Sequence, residues 1–302
     1  MLGALMALAL SFVQPSVQQP AMAADWPTFR GAERTAVAPD TDLLETWPAT
    51  GPKLIWEAAG AGRGYASLAI AGDRIYTLGD GLSTADDPSS PDKDEYLSCF
   101  DRETGKQLWK TKTGQPWSEG PESWQSSRST PTVDGDMVYV ITPHGQLVAC
   151  ATADGKERFR VDLKAQFGGK KGDSWGYSES PLVDDNRLIC TPGGEQSTLV
   201  ALDKKTGKLI WSCPMKGDRG AGHSSIVISQ PLSSQTGGRT GGKKVYIQTT
   251  AAGAFAVDAQ TGKFQWAYPI DQTTAVIPTP IVRGDLVFFS AGYKRGGALL
   301  RQ

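Results

Sequence analysis

The residues with the most chemical reach in this 302-residue chain are two histidines, His144 and His223, and four cysteines, Cys99, Cys150, Cys190 and Cys213. They are too few and too scattered for a histidine-rich metal site or a cysteine zinc cluster. No two cysteines are adjacent, and four cysteines allow three pairings that spacing cannot separate. They read either as small buried strand residues or as disulfide partners in an exported protein. Asp73, Asp101, Asp136, Asp203, Asp258 and Asp285 all stand in turn sequences, where a carboxylate caps backbone N–H groups. The acidic stretch Gly79–Glu95 holds Asp86, Asp87, Asp92 and Asp94 without the alternate spacing of a calcium loop. No Gly-x-Gly-x-x-Gly or Gly-x-Ser-x-Gly sits between a predicted strand and a helix. No catalytic residue and no metal ligand is assigned.

Whatever these residues do depends on the elements that carry them, and those elements repeat. Ala201-Leu202-Asp203-Lys204-Lys205-Thr206-Gly207-Lys208-Leu209-Ile210-Trp211 matches Ala256-Val257-Asp258-Ala259-Gln260-Thr261-Gly262-Lys263-Phe264-Gln265-Trp266. An earlier copy runs from Cys99 to Trp109, and a worn one from Ala149 to Phe159. Gly105, Gly155, Gly207 and Gly262 are spaced by 50, 52 and 55 residues, and Trp56 precedes Trp109 by 53. The front of each unit repeats as well, as in Pro131–Tyr139 and Pro280–Phe288: a short apolar run, a Gly-Asp turn pair, then a β-branched run. Each half is a hairpin signature. Two hairpins in about 50 residues make a four-stranded propeller blade. Composition agrees: 35 glycines, 19 prolines and 9 tryptophans suit tight turns and aromatic plugs.

Aligning the units brings His223 level with Arg128, Tyr65 and Ser178, just before the inmost strand of each blade. Such residues ring one end of the central channel. Tyr65, Arg128, Tyr177, Glu179 and His223 are therefore the candidate ligand-binding residues, with a water-filled polar channel as the alternative. His144 reads as a solvated turn. Trp117, Trp124 and Trp175 lie in the loops Gln115–Ser127 and Gly168–Ser178, either as a ligand surface or as caps on an apolar rim. A loop residue such as Trp117 is expected to matter less for stability than Trp211.

The motif Ala-x-Asp-x-x-Thr-Gly-x-x-x-Trp resembles the docking repeat of quinoprotein-type β-propellers, a group that includes PQQ-dependent alcohol dehydrogenases and outer-membrane assembly factors. The opening Asp25-Trp26-Pro27-Thr28-Phe29-Arg30-Gly31 is similar to the lead-in of exported bacterial members. The resemblance implies that Trp109, Phe159, Trp211 and Trp266 pack between blades against Gly105, Gly155, Gly207 and Gly262. It implies an all-β propeller of four-stranded antiparallel blades, four complete and a fifth in part, where family members close seven or eight. The chain thus reads as truncated in its last blade, with open ends prone to association.

The segments expected are a signal peptide at 1–23, a lead-in at 24–53 and propeller repeats at 54–302, with blade ends near Trp56, Trp109, Phe159, Trp211 and Trp266. Leu2–Val13 is too short to span a bilayer, and Ala21-Met22-Ala23 has the small-x-small form of a cleavage site, although no basic residue precedes Arg30. A net charge of −1 argues against a nucleic-acid partner, whose phosphates need a basic face. The reading is an exported, periplasmic or secreted propeller that binds a protein or small ligand without catalysis and without a cofactor. The alternative is a PQQ-dependent dehydrogenase domain holding PQQ and calcium.

Overall fold

The computed structural model describes residues 24–81, 94–230, 242–270 and 274–302. The expected signal peptide, Asp86, Asp87 and Asp92 of the acidic stretch, and most of the Ser233–Gly242 loop lie outside the described residues.

Each repeat folds into one antiparallel sheet with its strands in chain order. Blade 1 holds β1 (Ala69–Ala71), β2 (Arg74–Asp80), β3 (Glu95–Asp101) and β4 (Gln107–Gly114). Blade 2 holds β5 (Thr132–Asp134), β6 (Met137–Ile141), β7 (Gln146–Ala151) and β8 (Glu157–Asp162). A five-residue helix, α1 (Leu163–Phe167), follows; the Asp162 carboxylate caps its start and Gly168 ends it. Blade 3 holds β9 (Leu182–Asp184), β10 (Arg187–Cys190), β11 (Leu199–Asp203) and β12 (Leu209–Cys213). Blade 4 holds β13 (Val227–Ser229), β14 (Val245–Thr250), β15 (Gly253–Asp258) and β16 (Phe264–Pro269). Blade 5 has three strands, β17 (Ile281–Arg283), β18 (Leu286–Ala291) and β19 (Gly296–Arg301). The fold is an all-β, incomplete propeller; first strands meet at its axis between blades 1 and 2, 2 and 3, and 4 and 5.

The middle strands are apolar on both faces because each is covered by two neighbouring blades. Tyr139, Leu147, Leu188 and Val200 share one core between blades 2 and 3; Ile189, Trp211, Tyr246 and Val257 share another between blades 3 and 4. All four cysteines are free and buried in these layers, and burial pushes their thiols upward, Cys99 and Cys213 to about 11. They act as small apolar fillers.

The repeat motif has a geometric reason at each position. The small residue that opens it pairs across the strands with the aromatic that ends it: Cys99 with Trp109, Ala149 with Phe159, Ala201 with Trp211, Ala256 with Trp266. A bulge follows at the same place in all four hairpins. The motif aspartate closes the turn: Asp203 Oδ1 accepts from Thr206 N at 2.9 Å and Thr206 Oγ1 at 2.8 Å, and Asp258 treats Thr261 alike. The motif glycine needs positive φ, 70° at Gly207 and 71° at Gly262. It also leaves space for the aromatic of the preceding unit. A Cβ would strike Trp56 at Gly105, Trp109 at Gly155, Phe159 at Gly207 and Trp211 at Gly262.

The lead-in is not a passive tail. Trp26 bridges Ile70 of β1, Pro27 O accepts from Val133 N at 2.8 Å, and Thr28 Oγ1 meets Thr132 Oγ1 at 2.8 Å. Arg34 then reaches blades 3 and 4: Nη1 donates to Ser180 O at 3.1 Å and to Ile226 O at 3.0 Å, and Nη2 donates to Thr28 Oγ1 and Pro181 O. One short segment laces four blades along the axis.

Candidate functional site

Just before each first strand, a backbone N–H donates to a hydroxyl of the next blade. Ser67 N bonds Thr130 Oγ1 at 3.0 Å, Thr130 N bonds Ser180 Oγ at 3.0 Å, Ser180 N bonds Ser225 Oγ at 3.1 Å, and Ser225 N bonds Thr279 Oγ1 at 3.1 Å. This ladder fixes the angle between blades and the level of the residues two positions earlier, namely Tyr65, Arg128, Ser178, His223 and Ile277. The hydroxyl residues at 67, 130, 180, 225 and 279 recur once per unit, a signal present in the sequence outside the docking motif.

Of the five candidate residues, Tyr65, Arg128 and His223 stand on this ring. The Arg128 guanidinium lies 5.4 Å from the centre of the Tyr65 ring. It is fixed by Ser126 O at 3.1 Å and by the Trp124 carbonyl. Trp124 meets Trp175 edge-on at 6.0 Å, and Trp175 lies 6.1 Å from the His223 ring. Ser178 Oγ and His223 Nδ1 share a hydrogen bond of 2.6 Å. His223 Nε2 is 3.0 Å from Asp173 Oδ2, close enough for attraction without a well-directed hydrogen bond. Together they form a continuous arc over blades 1 to 4. An open cleft of about 500 Å³, lined by Arg63, Glu122, Ser123 and Gln125, adjoins it at Tyr65.

Tyr177 and Glu179 are a correction to the expected rim. Successive side chains of an extended segment point to opposite sides, so Ser178 takes the ring position and its neighbours turn inward. Tyr177 is buried, donating to Pro192 O at 2.8 Å. Glu179 is buried and accepts from Thr191 N at 3.0 Å and Gln248 Nε2 at 2.8 Å. Burial pushes its carboxyl up to about 7, against the opposing pull of Thr191 and Arg34.

His144 is also more than a solvated turn: Nε2 is 3.3 Å from Pro116 O and its ring 5.5 Å from that of Trp117. Trp117 is 9% exposed, the same as Trp211, while Trp124 is 50% exposed. The loop folds Trp117 inward through the Ser126 N–Trp117 O hydrogen bond of 2.7 Å, which loop composition alone does not reveal.

Burial also sets the charge state of the arc. It lowers the His223 pKa below the usual imidazole value; Asp173 opposes this, while Lys171 and Arg128 reinforce it. Lys171 falls to about 8, chiefly by desolvation; its Nζ donates to Gly222 O at 2.7 Å and is 3.8 Å from Asp173 Oδ1. The neutral imidazole bonds Ser178 through one nitrogen and turns the other to Asp173, an arrangement that orients the ring. Among the described residues no three His, Cys, Asp or Glu side chains converge as metal ligands, and no helix is long and apolar enough to cross a membrane.

Solved structures share the architecture. The chain superposes on quinohemoprotein alcohol dehydrogenase ADHIIG of Pseudomonas putida HK5 with a TM-score of 0.55 at 15% identity, over 92% of this chain and 44% of that one. The quinohemoprotein alcohol dehydrogenase of Comamonas testosteroni gives 0.57 at 17% identity, over 93% and 47%. The chain therefore spans less than half the length of either enzyme. Among curated proteins it is 24% identical over 290 residues to the outer membrane protein assembly factor BamB of Burkholderia pseudomallei, covering 81% of this chain and 67% of that protein. Residues 93–301, more than half of the sequence, match the family described as outer membrane protein assembly factor BamB, and the chain belongs to that family.

Proposed function

We propose that the protein is an exported, non-catalytic propeller of the bacterial cell envelope that holds a protein partner at its channel face, in the assembly of outer membrane proteins. The observation that carries this reading is the arc from Tyr65 to His223, where side chains from four blades join, with Tyr65 and Trp124 exposed and Arg128, Trp175 and His223 partly buried beside them. Family membership supplies the setting. Interfaces draw on such Tyr, Trp and Arg clusters. A photoreactive amino acid at Tyr65 should cross-link, in cells, to a component of the outer membrane assembly machinery, whereas one at exposed Lys208 should not. Equal labelling from both positions, or none from Tyr65, would overturn the reading.

The dehydrogenase alternative is motivated by the architecture shared with the two quinohemoproteins. The residues at the rim fit calcium poorly: Glu179 is spent on Thr191 and Gln248, and Asp173 lies between Lys171 and His223. Saturable, calcium-dependent PQQ binding with alcohol-driven dye reduction would establish that alternative instead.

A further inference from the structure

Arg128 is a half-buried cation with no carboxylate in ion-pairing reach among the described residues. Two carbonyls of its own loop hold the guanidinium beside Tyr65, using two of its five donors. Beneath the rim, Lys171 is 8% exposed in its side chain and faces one carboxylate, Asp173. Around them stand Tyr65, 57% exposed, and Trp124, with Trp175 behind. A half-buried arginine that makes no direct ion pair and feels Asp173 only at longer range, flanked by aromatic rings, matches an anion carried on an apolar body.

We propose that this part of the rim is a carboxylate-binding subsite: Arg128 takes the acidic side chain of a partner's peptide, and Trp124 and Trp175 take the hydrophobic residue beside it. The proposal rests on the protein-binding reading above and names the chemistry of what binds. A singly charged ligand fits the local balance. At the subsite itself Arg128 and Lys171 share the single carboxylate of Asp173, which leaves positive charge in excess. A dianionic phosphate would need a second accessible cation, and Lys171 is committed to Gly222 O.

The test uses the folded protein and four probes: Ac-Phe-Asp-Phe-NH2, the asparagine peptide Ac-Phe-Asn-Phe-NH2, benzoate and inorganic phosphate. Binding is followed through the tryptophan indole N–H resonances, which report weak association. The aspartate peptide should bind at least about tenfold more tightly than the asparagine peptide. Arg128→Gln should erase that difference, Arg128→Lys should restore part of it, and Trp124→Ala should weaken both peptides. Circular dichroism melts verify that each variant folds. Equal binding of the two peptides, no binding of either peptide or benzoate, a preference that survives Arg128→Gln, or phosphate binding more tightly than the carboxylates would overturn the proposal. Benzoate binding without peptide binding would retain the carboxylate subsite and remove the protein-partner reading, so the two failures are separable.

Discussion

The indole of Trp211 in β12 occupies the space that a Cβ on Gly262, in the next blade, would need. Sequence motif and packing meet in this pair, because each blade supplies the ring and the following blade supplies the hole. Gly262→Ala must therefore accommodate both a φ of 71° and a collision with the ring. It should cost more than about 3 kcal/mol, while Gly284→Ala, with a φ of 60° and open space around it, should cost about 1–2 kcal/mol for backbone strain alone. Trp211→Ala should lose about 3–5 kcal/mol by leaving a cavity. Urea titrations of the three variants check the order; equal losses for the two glycines would separate ring from hole.

Arg34 carries the lead-in's hold on the blades. Its guanidinium satisfies carbonyls of Ser180, Pro181 and Ile226, and burial lowers its pKa to about 10, still well above neutral pH. Arg34→Met removes the donors and takes this partner from the Ser180 and Ile226 carbonyls at the axis, while Pro181 O keeps Thr132 Oγ1 at 2.6 Å. We expect a loss of about 2–4 kcal/mol in urea melts, with residues 24–36 becoming the first site of proteolytic cleavage. Arg34→Lys should recover little, since one ammonium group lacks the planar fork that spans two blades.

The architecture was legible because the docking motif combines a turn aspartate, a positive-φ glycine and an aromatic at fixed spacing, and each has a local structural cause. The rim was legible in part. Tyr65, Arg128 and His223 followed from aligning the units, whereas Tyr177 and Glu179 were misplaced because side-chain alternation decides which of three consecutive residues faces the channel. Arg34, Lys171 and Asp173 left no repeating trace. Their roles arise from contacts over long separations, 192 residues between Arg34 and Ile226, that no local pattern encodes.

The buried carboxyls make stability depend on pH in a direction opposite to that of paired surface carboxylates. Burial pushes Glu95 up to about 7, although Ser127 Oγ at 2.7 Å and Thr113 Oγ1 at 2.8 Å both donate to it. The folded protein then keeps a proton that the unfolded chain releases near 4.5. Stability is full below that value, falls as pH rises from about 4.5 to about 7, and levels off above. Glu95→Gln removes this titration while keeping a similar shape, and the two hydroxyls are free to rotate to suit an amide. The drop in unfolding free energy between pH 5 and pH 8 should shrink by about 2–3 kcal/mol in the variant. An unchanged drop would mean that Glu95 is ionised in the fold.

Trp117 and Trp124 separate the structural and binding duties of one loop. Trp117 is 9% exposed and packs on His144, while Trp124 is 50% exposed and meets Trp175 at the rim. Trp117→Ala should cost about 3 kcal/mol or more through the cavity it leaves. It should also broaden the resonances of residues 115–127 as the Ser126–Trp117 closure loosens. Trp124→Ala loses only partly buried surface and should cost less than about 1 kcal/mol, yet it removes one wall of the arc and should weaken binding of an aromatic peptide. Comparing urea melts with peptide titrations for the two variants tests the division. If Trp117→Ala melted like the unmodified protein, the inward fold of the loop would be wrong; if Trp124→Ala bound peptide normally, the rim would not be the contact surface.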